Sequence, residues 1–170
     1  MSQIPAAIRD HLQDIIIRHA PERLMIVAPA GRGADLAKRV ADQAGEVVQS
    51  EPAAVFQELG DTARYDLAVV FAMHGDKDAT VDTRVIGRLR DVNAGSVVVA
   101  ATLQEATPAD RHPWRTQDFI ALGFRRAPET RDLAPGWGVF RYDIHDYKTT
   151  PSWLNSRYWA NPGRWDKERW

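Results

Sequence analysis

Apolar side chains at Ile4, Ile8, Leu12, Ile15 and Ile16 recur at the spacing of one helix face, with Arg9, Asp10, Gln13 and Asp14 opposite. The pattern predicts an amphipathic helix over 5–19, with Pro5 in its first turn and Pro21 ending it. The period then changes. Residues 24–28 form a short unbroken apolar run, as a strand covered on both faces requires, and the run stops at Pro29, Gly31 and Gly33. Helical spacing returns over 34–44, with Leu36, Ala37, Val40, Ala41 and Ala44 on one side and Gly45 placed as a C-cap. A second strand is expected at 46–50, a short helix at 52–59 and a buried strand at 66–72. A polar loop over 73–78 leads to a helix at 81–92, marked by Val81, Val85, Leu89 and Val92 and closed by Asn93-Ala-Gly95. Val97, Val98 and Val99 make 96–102 a strong strand. Thr116 is expected to cap a short helix carrying Phe119, Ile120 and Leu122 that stops at Gly123. Residues 137–146 alternate, with Phe140, Tyr142 and Ile144 on one face, the pattern of a half-exposed strand at the antiparallel edge of a mixed sheet.

Strands separated by helices need crossover connections. The expected fold is therefore α/β: a mainly parallel sheet in a three-layer arrangement, with helices on both faces. In such a sheet, ligands sit beyond the carboxyl ends of the strands, at the switch in strand order. Those ends fall at 28–33, 50–51, 72–78 and 101–105. Gly31 and Gly33 lie between a strand and a helix start, where small residues let a ligand approach backbone N–H groups.

Composition narrows the function classes. The net charge of -1 gives no global attraction to nucleic acid or anionic lipid, so neither partner is expected. With no cysteine, disulfides, thiolate metal sites and a cysteine nucleophile are excluded. The N-terminus lacks a basic segment followed by an apolar one, so a cytoplasmic protein is expected. The last stretch changes character. Trp153, Trp159, Trp165 and Trp170 are four of the chain's six tryptophans, and residues 141–170 carry six Lys/Arg against four acids. Such rings bury against something. The chain thus divides into a body at 1–147 and an aromatic, arginine-containing extension at 148–170, expected to pack on an open face or edge of that body or to pair two copies as a homodimer.

Several segments together carry a resemblance. Residues 24–38 hold the strand, glycine loop and helix; 65–70 read Y-D-L-A-V-V; 89–99 read L-R-D-V-N-A-G-S-V-V-V; and 119–124 read F-I-A-L-G-F. In this order they resemble class I S-adenosylmethionine-dependent methyltransferases over most of the chain. The resemblance implies a Rossmann-like, methyltransferase-type sheet. The segment between Ser50 and Asp66 is too short for the family's third strand in full. It also implies S-adenosylmethionine or a nucleotide as ligand, facing Gly31 and Gly33, with Glu51 for the ribose hydroxyls and Ala101 and Leu103 along the adenine. The first-strand motif departs from the family. Val27 stands where the acid belongs, and Pro29, which has no N–H, stands at the first of three glycines.

Two further groups have the right residue types for chemistry. His74 and Asp76 follow the central strand, where a histidine can serve as general base near neutral pH. Asp143 and His145 are spaced to share a strand face, but no third ligand accompanies them and no metal site is expected. The leading reading is a methyltransferase-like domain that binds S-adenosylmethionine or a nucleotide. The alternative is a non-catalytic interaction protein acting through its aromatic extension.

Overall fold

A computed structural model describes residues 4–73, 81–103, 114–130 and 132–147. The first helix, α1 (Ala6–His19), buries Ile8, Leu12, Ile15 and Ile16. Isoleucine is a mediocre helix former, at a cost of a few tenths of a kcal/mol each. Burial returns about 1.5–3 kcal/mol per side chain, so packing decides the conformation. The helix stops because Ala20 precedes Pro21 and is barred from the helical region. It turns left-handed at φ 44°, with its N–H still bonded to the Ile16 carbonyl.

Among the described residues five further α-helical segments follow: α2 (Ala34–Val40), α3 (Val55–Glu58), α4 (Thr83–Arg88), α5 (Thr116–Ala121) and α6 (Ile144–Tyr147). They are threaded among β1 (Arg23–Val27), β2 (Glu46–Ser50), β3 (Tyr65–Ala72), β4 (Ala94–Thr102), β5 (Arg125–Arg126) and β6 (Trp137–Asp143). The strands form one sheet in the order β2-β1-β3-β4-β6-β5. The first four are parallel; β6 runs antiparallel to β4, and β5 antiparallel to β6. The result is a mainly parallel, mixed α/β sheet. No strand lies between Ser50 and Tyr65, where only the single turn of α3 occurs, so β2 is an edge.

Side chains alternate across the sheet and feed two cores. On one face, Leu24, Ile26, Leu67, Val69, Phe71, Val98 and Val139 meet α1 and α2. On the other, Val27, Ala68, Val70, Val97, Val99 and Phe140 meet α3, α4 and α5. The layers are therefore helix, sheet, helix.

Several boundaries differ from the sequence expectation, each for a local reason. The helix expected over 34–44 ends at Val40, where the Gln43 N–H bonds the Val40 carbonyl three residues back, and that over 52–59 shrinks to Val55–Glu58, preceded by a turn in which the Ala54 N–H bonds the Glu51 carbonyl three residues back. The helix over 81–92 begins at Thr83, capped by the Asp82 carboxylate, and widens into a π-helical turn over Leu89–Asn93. Asn93 is fully buried there and donates to the carbonyls of Gly60 (3.0 Å) and Ala63 (2.8 Å). Thr116 is already helical; Arg115 occupies the cap position, its N–H bonded to the Asp118 carboxylate at 2.8 Å.

The largest correction concerns 137–146. The strand ends at Asp143, whose Oδ1 accepts from the His145 N–H at 2.8 Å and starts the turn α6. Asp143 and His145 therefore share no strand face, and Ile144 leaves the face of Phe140 and Tyr142. The expected antiparallel edge of the sheet is present as β4-β6-β5; its outermost strand is β5, which flanks this one, and the first four residues of β6 are buried. The extension 148–170, with its four tryptophans, lies outside the described residues.

Candidate functional site

At the carboxyl ends of β1 and β2 the chain opens a cleft of about 340 Å³. Its walls come from the loop after β1 (Pro29, Gly31, Gly33), the end of β2 (Gln49, Ser50, Glu51) and the α3 turn (Ala54, Glu58). The loop is built by a four-residue turn in which the Arg32 N–H bonds the Pro29 carbonyl at 3.0 Å. Gly31 sits third in that turn with φ +73°, the conformation that a type II turn demands there and that L side chains rarely adopt. A Cβ on Gly31 would meet nothing within 4 Å, so its backbone is open to a ligand.

Gly33 has a different task. A Cβ there would lie 3.0 Å from Ala28 Cβ and 3.3 Å from Ile26 Cγ2. The glycine lets the start of α2 press onto β1. With only seven residues, α2 contributes a short dipole, so backbone shape and carboxylates define the cleft more than helix polarity does.

Glu51 is exposed, and its carboxylate makes no hydrogen bond or ion pair among the described residues. Its backbone carbonyl, holding Ala54 and Val55, fixes where the side chain starts. Ser50, just before it, is buried, and its hydroxyl donates to the Glu51 carbonyl at 3.3 Å. Glu58 adds a second carboxylate to the lining, and among the described residues no basic side chain lines the cleft. Val27, at the end of β1, is fully buried between β2 and β3.

The structure thus brings Gly31, Gly33 and Glu51 together. Ala101 and Leu103 do not line this cleft: both lie on the β4 side, with β3 between them and β1. Ala101 is fully buried, and Leu103 pairs with Trp114. His74 and Asp76 lie outside the described residues. Among the described residues, no group of three His, Cys, Asp or Glu side chains is placed to hold a metal ion, and no helix is long and apolar enough to cross a membrane.

Gln49, Ala54 and Glu58 were not singled out from sequence; they reach the cleft through β2–β1 pairing and the α3 turn, which leave no local signature. Arg32 is a further omission. Set between the two glycines, it leans away from the cleft and places Nη1 3.3 Å from the Met73 sulfur at the end of β3.

Residues 6–170 match the model of a family described as "Family of unknown function (DUF6231)". The chain belongs to DUF6231. No curated protein matches this DUF6231 chain in sequence. Among solved structures, the methyltransferase domain of bacterial CtHen1-C is similar over 81% of the DUF6231 chain and 96% of its own, at 10% identity and a TM-score of 0.48. PigF with SAH is similar over 81% and 55%, at 8% identity and a TM-score of 0.46. Magnesium protoporphyrin IX methyltransferase (ChlM) from Synechocystis PCC 6803 with bound SAM is similar over 83% and 85%, at 11% identity and a TM-score of 0.42. These likenesses are of fold and say nothing about activity.

Proposed function

We propose that the cleft at the carboxyl ends of β1 and β2 binds S-adenosylmethionine or a related adenosyl compound without phosphates. The observation that carries this reading is the meeting of an open glycine turn at Gly31 with the uncommitted carboxylate of Glu51. A carboxylate accepts two hydrogen bonds from a ribose diol, and the bare turn admits the rest of the ligand to within contact of the backbone. The charge of the lining chooses among adenosyl ligands. Glu51 and Glu58 repel a polyphosphate, and among the described residues no lysine or arginine in the lining offsets them. A sulfonium cation suffers no such penalty.

The fit to the cofactor is incomplete at one end. Val27 is buried and apolar, and Pro29 has no N–H to offer, so binding falls on Gly31, Ser50 and Glu51. When bound, S-adenosylmethionine supplies an electrophilic methyl group on sulfur. The chain's own residues hold the ribose and leave the loop backbone clear of side chains.

Calorimetric titration with S-adenosylmethionine, S-adenosylhomocysteine and ATP tests the reading. Both sulfur ligands are expected to bind and ATP to bind more weakly. Glu51→Gln is expected to weaken the sulfur ligands roughly tenfold, the worth of a charge-assisted hydrogen bond, with an unchanged melting temperature because the side chain is exposed. No heat from either sulfur ligand at millimolar concentration would sink the proposal.

A further inference from the structure

A second cavity, of about 270 Å³, lies at the other end of the sheet, between α1 and the β4-β6-β5 side. Its floor is apolar: Ile15 from α1, Leu67 from β3, Val98 from β4 and Ala127 after β5. Three arginines line it, Arg125, Arg126 and Arg141.

Their placement is costly. Arg125 and Arg141 are directly opposite each other in the β5–β6 ladder, so two like charges stand on one face at cross-strand distance. Six other arginines of the body, Arg9, Arg23, Arg39, Arg84, Arg88 and Arg90, each pair with a carboxylate. Arg125, Arg126 and Arg141 make no ion pair or side-chain hydrogen bond among the described residues, and the buried Nε of Arg126 has no partner.

Two acids share the lining, and neither forms an ion pair with these arginines. Asp143 is engaged by the Ser96 hydroxyl at 3.0 Å and by the His145 N–H. Glu129 is exposed and makes no ion pair among the described residues. Arg126 alternates to the other face of the sheet, opposite Phe140, so on the cavity face Arg125 and Arg141 stand with Glu129 and Asp143, and neither acid is ion-paired with either arginine.

We propose that this cavity is a binding site for a small organic carboxylate with an apolar body. The carboxylate is held between the guanidinium groups of Arg125 and Arg141, and the body lies on Ile15, Leu67 and Val98. Planar guanidinium forks match a carboxylate in geometry, and a bound anion removes the repulsion between the opposed arginines. The two acids in the lining favour a monoanion over a phosphate dianion. The site is separate from the β1–β2 cleft and does not depend on the ligand proposed there.

Calorimetry and thermal melting of the full chain with butanoate, hexanoate, octanoate, octanol and octyl phosphate test the site. Affinity is expected to rise with chain length among the carboxylates, and octanoate is expected to bind at least about tenfold more tightly than octanol, as a charge-assisted contact implies. The double variant Arg125→Gln/Arg141→Gln is expected to lose that carboxylate preference while melting no lower than the parent, since it removes a repulsion and no bond. S-adenosylmethionine binding is expected to be unaffected by it. Absence of any carboxylate binding at millimolar concentration, octyl phosphate binding more tightly than octanoate, or undiminished octanoate binding in the double variant would each overturn the proposal.

Discussion

Gly31 and Gly33 look alike in sequence and differ in kind. Gly31 is glycine because of its dihedral angle, at φ +73° with open space around it. Gly33 is glycine because of its neighbours, with Ala28 and Ile26 within 3.3 Å of where a Cβ would stand. The two should therefore respond differently to substitution. Gly31→Ala is expected to cost about 1 kcal/mol through the left-handed backbone. Gly33→Val is expected to cost about 2–3 kcal/mol, because the start of α2 must lift off β1. Urea unfolding measures both; equal midpoints for Gly33→Val and the parent would refute the packing role. It follows that a bulky residue at Gly33 is a poor probe of ligand binding, whereas Glu51, exposed and unpaired among the described residues, is a clean one.

At the scale of elements, α1 is held by its apolar stripe and carries one polar group inside it. His11 is half-buried, its Nε2 has no hydrogen-bond partner, and its pKa lies below the usual 6.5. Burial is the main cause. Arg18 and Arg141 push the same way, and Glu129 and Asp14 push back. An unfolded chain takes up this proton at about pH 6.5, and the folded one only at lower pH. Between those two values the unfolded state binds more protons, so stability rises with pH across that window and falls on acidification. The melting temperature of the parent is expected to drop as pH falls below about 6.5, and His11→Gln is expected to flatten that part of the curve. Identical slopes in the two proteins would remove His11 from the account. The β6–α6 junction is another element-scale event. Period-two alternation continues through Ile144, but a single bond from Asp143 to the His145 N–H turns the chain out of the strand.

For the whole molecule, the order β2-β1-β3-β4-β6-β5 makes β3 and β4 the centre and leaves β2 paired on one side only. Glu46 and Gln49 of β2 are exposed, polar residues suited to an edge. β5 has two residues and closes the other side. Opening free energy is lowest where a strand has one neighbour and little burial. Amide hydrogen exchange is expected to be slowest in β3 and β4 and fastest, among the strands, in β2 and β5. Protection of β2 equal to that of β3 would show that something further covers this edge in solution. The two cavities lie at opposite ends of this sheet, so a ligand in one does not touch the lining of the other.

The chain order of strands and helices, the double covering of β1, β3 and β4, and the absence of a strand between Ser50 and Tyr65 were legible in the amino-acid pattern. So was the Gly31–Glu51 end of the cleft. These depend on local period and segment length, which are properties of neighbouring residues. Tertiary structure alone decided that β6 is interior, that a two-residue strand flanks it, that Gly33 serves packing, and that Arg125 faces Arg141. Those facts depend on register between segments far apart in the chain. Apolar alternation says which side of a strand is covered, but only pairing says by what.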